Sequence, residues 1–195
     1  MQSYSVITEP TEEPITLDDA KLNLRVTNTL EDDLITSLIV AARKWVEGFT
    51  WRPLMTQTIQ ANFDKFDVTS VDITLNKYPI QSITSVKYIN ESGTEITLTA
   101  NTDYEVDLIS PLPRIRLTSI PTMKDSLNAF KIRFVAGYTS AANVPDNYKR
   151  AMHLIITHLY DNRNQVSTQN AVEIPFGVYT MLDIDHNRYN RTISI

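Results

Sequence analysis

The sequence predicts an α+β protein, a small helical bundle carrying an inserted, mostly antiparallel β unit. Two observations predict it. The apolar period is 3.6 residues up to about position 57, 2 residues from 58 to 137, and 3.6 again beyond. The composition, 42% hydrophobic and 21% charged over 195 residues, is globular and long enough for one core with an insertion.

Residues 1–14 hold three glutamates, two prolines and few apolar side chains, and read as a mobile or edge-packed arm. Thr16 with Asp19 three positions on is a capping pattern, and Leu17, Ala20 and Leu24 make one stripe, so a short first helix follows. Residues 26–30 form a turn. The longest amphipathic stretch runs from Glu31 to Phe49, with Leu34, Ile35, Leu38, Ile39, Ala42, Trp45, Val46 and Phe49 on one broad face. Thr29 is expected to cap it, and Glu31, Asp32 and Asp33 fall where the helix dipole favours carboxylates. Gly48 and Pro53 are expected to end it. A helix of about 18 residues spans about 27 Å, enough to cross a small domain.

From Thr58 the alternation is that of strands. Val71, Ile73 and Leu75 form one run, Val86 and Tyr88 another, and Ile96 and Leu98 a third, with a turn at Glu91-Ser92-Gly93. Tyr104, Val106 and Leu108 alternate with Asp103, Glu105 and Asp107. After a turn holding Pro111 and Pro113, Ile115 and Leu117 alternate with Arg114 and Arg116, whose charges would support an antiparallel hairpin register. Phe130, Ile132 and Phe134 make a last strand before Gly137. Pro145 and Asp146 then open a helix whose face is Tyr148, Ala151, Met152, Ile155 and Leu159, running to about Arg163. Residues 164–173 are polar and aperiodic and are expected to act as a tether. The expected divisions are 1–57 for the arm and first two helices, 58–137 for the β unit, and 138–195 for the third helix and a C-terminal segment.

Several chemistries are excluded or disfavoured. There is no cysteine, so disulfides and thiolate chemistry are absent. The start of the chain lacks the pattern of a signal peptide, and no apolar run approaches the ~20 residues of a membrane helix, so a soluble, intracellular protein is expected. Net charge is −5, with nine acidic and five basic side chains in residues 1–57, nine and eight in 58–137, and five of each in 138–195. No basic stripe offers itself to a nucleic acid. Asp103, Glu105 and Asp107 share a strand face and could bind calcium, but the loop glycine of a dedicated site is missing, and a solvent face opposite Arg114 and Arg116 is the better reading. Asp32 and Asp33 diverge by about 100° on a helix, which suits helix-start charge rather than paired acid–base work. His153 and His158 stand five apart on different faces, and His186 is isolated, so no zinc pattern arises. Gly48, Gly93, Gly137 and Gly177 are too scattered to cradle phosphate. Trp45 and Trp51 read as packing anchors. The expectation is a non-enzyme with no catalytic residue, cofactor or metal.

The ordered pieces resemble a family. Ile15–Arg25, Glu31–Ile39 and Ala41–Glu47 are similar to the opening of phage head–tail connector proteins, the adaptor or head-completion proteins of tailed double-stranded DNA phages and prophages. The likeness continues through Leu54–Thr58, Val86–Ile89, Gly93-Thr94, Asp103–Asp107, Ala136–Tyr138, Val144–Asp146 and His158–Arg163. Ile174-Pro175-Phe176-Gly177-Val178 resembles a closing motif. The resemblance implies a virion structural protein forming a ring of about a dozen copies beneath a portal protein, with a connector or stopper on the tail side. DNA would pass through without sequence-specific binding, no membrane is involved, and assembly would occur in the host cytoplasm. The smallest members are essentially helical, so the β unit matches larger prophage members instead. In such a ring Ile174, Phe176, Val178, Tyr179, Met181 and Leu182 are expected to dock on a neighbouring subunit or the portal, folding back on their own helices being the alternative. The acidic first helices would suit a DNA conduit. Rival readings are a hydrolase using the Asp103, Glu105 and Asp107 face, and a carbohydrate- or host-binding module built on the β unit.

Overall fold

The computed structural model describes residues 2–65, 68–110, 112–162 and 177–182. The chain divides into two compact units, one of residues 1–11 and 56–137 and one of residues 12–55 and 138–195. Helices and antiparallel sheets segregate between them, which makes the fold α+β.

The helical unit contains α1 (Leu17–Leu24), α2 (Asp32–Thr50), α3 (Asp146–Asp161) and a short helix at 177–182. The start of α1 is a complete capping box. The Asp19 N–H donates to Thr16 Oγ1 at 3.1 Å and the Thr16 N–H donates to Asp19 Oδ2 at 3.4 Å. On α2 the deepest residues are Ile35, Ile39, Ala42 and Val46, which meet Tyr148, Ala151, Met152, Ile155 and Ile156 of α3 in one core. Leu34 and Leu38 are only half buried at the border of that face.

Both ends of α2 differ from the sequence expectation. Thr29 is not its cap: Glu31 takes the N-cap position without a side-chain cap bond. The reason is local. Asn28 Oδ1 already accepts the Leu30 N–H at 3.0 Å, a turn that delays the helix, and the Glu31 carboxylate is held by the Tyr160 hydroxyl. Gly48 does not end the helix either. The helix continues to Thr50, and Trp51 makes the left-handed turn (φ 59°) before Pro53. Trp51 is 52% exposed, so it is a helix terminator and not a core anchor.

Within this core lies one cation. Arg43 is 2% exposed, its Nε donating to Glu13 Oε2 at 2.8 Å and its Nη1 to Glu47 Oε2 at 2.9 Å. The other oxygen of Glu47 accepts the Leu54 N–H at 2.7 Å. One buried guanidinium therefore ties the segment before α1 and the segment after α2 to the middle of the long helix.

The β unit has a five-stranded antiparallel sheet, ordered β1 (Ser3–Thr8), β2 (Gln57–Phe63), β8 (Phe130–Ala136), β4 (Ile80–Ile89), β5 (Glu95–Leu98). A three-stranded sheet is ordered β3 (Asp72–Thr74), β7 (Arg114–Leu117), β6 (Tyr104–Asp107). Strands β2 and β8 bury alternate residues without a break and pair over seven positions, from Gln57 opposite Ala136 to Phe63 opposite Phe130. Ile59, Phe63, Ile132 and Phe134 from one sheet share a core with Ile73, Ile115 and Leu117 from the other. The N-terminal arm, grouped with the helices on sequence, is the edge strand β1 of this unit, anchored by Tyr4, whose hydroxyl accepts the Asn76 N–H at 2.8 Å. The hairpin charges face each other as expected. Glu105 stands opposite Arg116 and Asp107 opposite Arg114, with Arg114 reaching Asp107 at 3.3 Å. Arg116 turns instead to Asp72 on its other neighbour, donating from Nε at 2.8 Å and Nη2 at 3.1 Å.

Two mutations test the helical unit. A Cβ at Gly48 would meet open space in a helix interior, so Gly48→Ala is expected to raise stability by about 0.5–1 kcal/mol in a helix-monitored melt. Arg43→Ala should lower it by about 3–5 kcal/mol, because two partly buried carboxylates lose their counter-charge. An unchanged melt for Arg43→Ala would show that the ion cluster is incidental.

Candidate contact surfaces

The C-terminal residues singled out on sequence divide in three. Ile174 and Phe176 lie outside the described residues. Val178 and Leu182 are fully buried in the core of their own helical unit. Tyr179 is 36% exposed and Met181 half buried. The Tyr179 ring meets Trp45 edge-on at 5.6 Å and Phe49 at 5.5 Å, while Trp45 and Phe49 stack in parallel at 5.5 Å. The spacing of Trp45 and Phe49, one helical turn apart on α2, makes this aromatic shelf. Residues 164–173, read as a tether, are likewise outside the described residues.

Elsewhere the candidate chemistry resolves into structural roles. Asp103 Oδ2 accepts the Thr99 N–H at 2.7 Å, closing the turn into β6. Asp107 accepts the Ser110 hydroxyl at 2.6 Å and the Ser110 N–H at 3.1 Å, which together with Arg114 hold its carboxyl down to about 2. Glu105 is exposed. Among the described residues no cluster of three or more acids, histidines or cysteines has metal-binding geometry. Around this face is a depression of about 120 Å³ lined by Glu105, Val106, Asp107, Arg114 and Arg116. A second, of about 270 Å³, is lined by residues that include Phe63, Asp72 and Ile73. Both fall below the ~300–1,000 Å³ of ligand sites. His153 is partly buried on α3, which pushes its imidazole down, with Asp19 pulling the other way. His186 lies outside the described residues.

Sequence reasoning missed the Arg43 cluster, although an arginine interrupting an apolar face four residues before a glutamate was the available signal. It also missed a charge bridge across the five-stranded sheet. Glu95 on β5 accepts from Lys87 Nζ at 2.8 Å and from Lys131 Nζ at 2.9 Å, and these two bonds, Lys87 first, lower its carboxyl to about 2.

The carboxylates thus serve as caps, turns and ion bridges, and the distinctive features are faces and shelves on rigid elements. Residues 14–110 match the family model of phage gp6-like head–tail connector proteins, and the chain belongs to this family of virion structural proteins. No curated protein gives a significant match. Solved structures share the fold. A chain from the neck of an empty gene transfer agent particle, computed with C6 symmetry, superposes with TM-score 0.75 at 19% identity, covering 94% of both chains. A chain from the virion of the native gene transfer agent particle gives 0.74 at 20% identity with 93% of both covered. One from the native neck, computed with C12 symmetry, gives 0.69 at 20% identity with 94% of both covered.

Two measurements follow. Trp45→Ala should cost about 1–3 kcal/mol, below the ~3–5 kcal/mol of a fully buried aromatic, because the ring is only half buried. An unchanged melt would remove the shelf from the fold's energetics. Glu95 is depressed from its usual 4.5 to about 2, so its contribution is present above about pH 4.5 and lost as pH falls towards 2. Glu95→Gln should therefore flatten the acid limb of the stability curve between those values, by a small amount given its partial exposure.

Proposed function

We propose that this chain is the ring subunit of a virion neck, about a dozen copies seated beneath the portal protein and joining the DNA-filled head to the tail. The observation that carries the reading is the family match over residues 14–110, which spans both first helices and strands β2 to β6. The symmetric necks that share the fold support a ring, and the neck computed with C12 symmetry supports its approximate copy number. On the tail side the ring meets a further connector or stopper. The protein acts in the virion after assembling in the host cytoplasm. It carries out no reaction and needs no cofactor or metal. DNA passes through the ring without sequence-specific contact.

Docking falls to the C-terminal segment. Val178 and Leu182 pack in the core of the helical unit, Tyr179 stands on the aromatic shelf, and Tyr179, Met181, Ile174 and Phe176 are the residues of the segment taken as its contacts. Native mass measurement of the chain alone and mixed with portal rings tests the assembly. Addition of about a dozen copies per portal is expected, and no association would refute it. Limited proteolysis tests the segment: cleavage within residues 165–173 in the free chain should be suppressed in the assembled particle. Equal resistance in both states would remove the segment from the interface.

A further inference from the structure

On the outward face of the five-stranded sheet, cations outnumber carboxylates among the described residues. Lys87 on β4 and Lys131 on β8 stand directly opposite each other in register. Like charges so placed repel, and Glu95 bridges them at 2.8 and 2.9 Å. Two residues further along β8, on the same face, is Arg133. Its Nη2 donates to the neutral amide of Gln60 at 3.0 Å, and its Nε is buried with no acceptor. Among the described residues of this face, two lysines share Glu95 and Arg133 is bonded to a neutral amide, in a chain whose formal charge is −5. An arginine fork bonded to a single amide oxygen retains donors suited to a carboxylate.

The excess acid of the chain is concentrated at the other unit's helix starts. Asp19 is occupied by its cap and Asp32 by Lys21 at 2.6 Å. Asp18 in the first turn of α1 and Asp33 in the first turn of α2 are exposed on rigid elements. Three cations are too few for a duplex, whose binding rests on neutralising many phosphates. They suit two or three protein carboxylates.

We infer that the Lys87, Lys131 and Arg133 face receives the acidic starts of α1 and α2 from a second copy of this chain. The contact is heterologous, cationic sheet on one subunit against acidic helix starts on the next, and a contact of that kind closes into a ring or continues as a filament. It rests on the ring reading above and adds to it which surfaces meet. Electrostatic matching of this sort sets partner and register more than it adds affinity.

The test is zero-length carbodiimide coupling of the concentrated full-length chain, as a mixture of isotopically light and heavy copies, read by mass spectrometry. Mixed-isotope links joining Lys87 or Lys131 to Asp18 or Asp33 are expected. They should fall about tenfold on Arg133→Gln and survive Arg133→Lys, which keeps the charge. They should also fall at about 1 M salt, where the screening length is about 3 Å. Mixed-isotope links confined to other surfaces would overturn the inference while leaving the ring intact. Their complete absence would count against both. Protection of Lys87 and Lys131 from acylation by duplex DNA would make the face a nucleic-acid wall instead.

Discussion

One buried cation organises the helical unit. Arg43 sits in the middle of α2 with almost no solvent contact, and its guanidinium is divided between Glu13 and Glu47. Burying a charge is tolerable only when it is paired and its donors are used. Here the pairing also has a topological consequence. Glu13 lies two positions beyond residues 1–11, which belong to the β unit, and Glu47 holds the N–H of Leu54, just before the chain re-enters that unit at Thr56. The same ion cluster therefore fixes both places where the chain first enters and then leaves the helical unit. An apolar residue at 43 could fill the space but could not hold either crossing.

The β unit is built on a different economy, in which the ladder does the ordering and charges decorate it. Strands β2 and β8 alternate so regularly that a one-residue slip would turn Ile59, Phe63, Ile132 and Phe134 out of the core. Across the smaller sheet the arginines of β7 serve two neighbours, Arg114 bonding Asp107 and Arg116 bonding Asp72. Such exposed pairs add little stability individually but oppose mispairing. For a protein of the head–tail connector family, two independently cored units offer rigid platforms from which exposed residues present fixed chemistry.

Much of this was legible because local signals agreed. The Thr16 and Asp19 box, the Ile35, Ile39, Ala42, Val46 stripe and the Asp107 and Arg114 pairing each follow from spacing alone. What escaped did so for identifiable reasons. Strand β1 exposes both Val6 and Ile7, so it shows no alternation, and only its pairing with β2 makes it a strand. In β4 irregularities between Ile80 and Ser82 and between Ile83 and Ser85 break the period of two, which blurs the pattern where the strand begins. The N-cap of α2 was misplaced because Asn28 competes for the local N–H groups. Of the six residues expected to dock, Val178 and Leu182 lie in the core of the helical unit, through a tertiary contact that spacing cannot reveal.

The central claim is that this chain joins heads to tails. Electron microscopy of particles assembled with the chain deleted, and with it restored, tests that claim most directly. The account predicts heads and unattached tails without the chain, and complete particles on its return. Complete, tailed particles in its absence would contradict it.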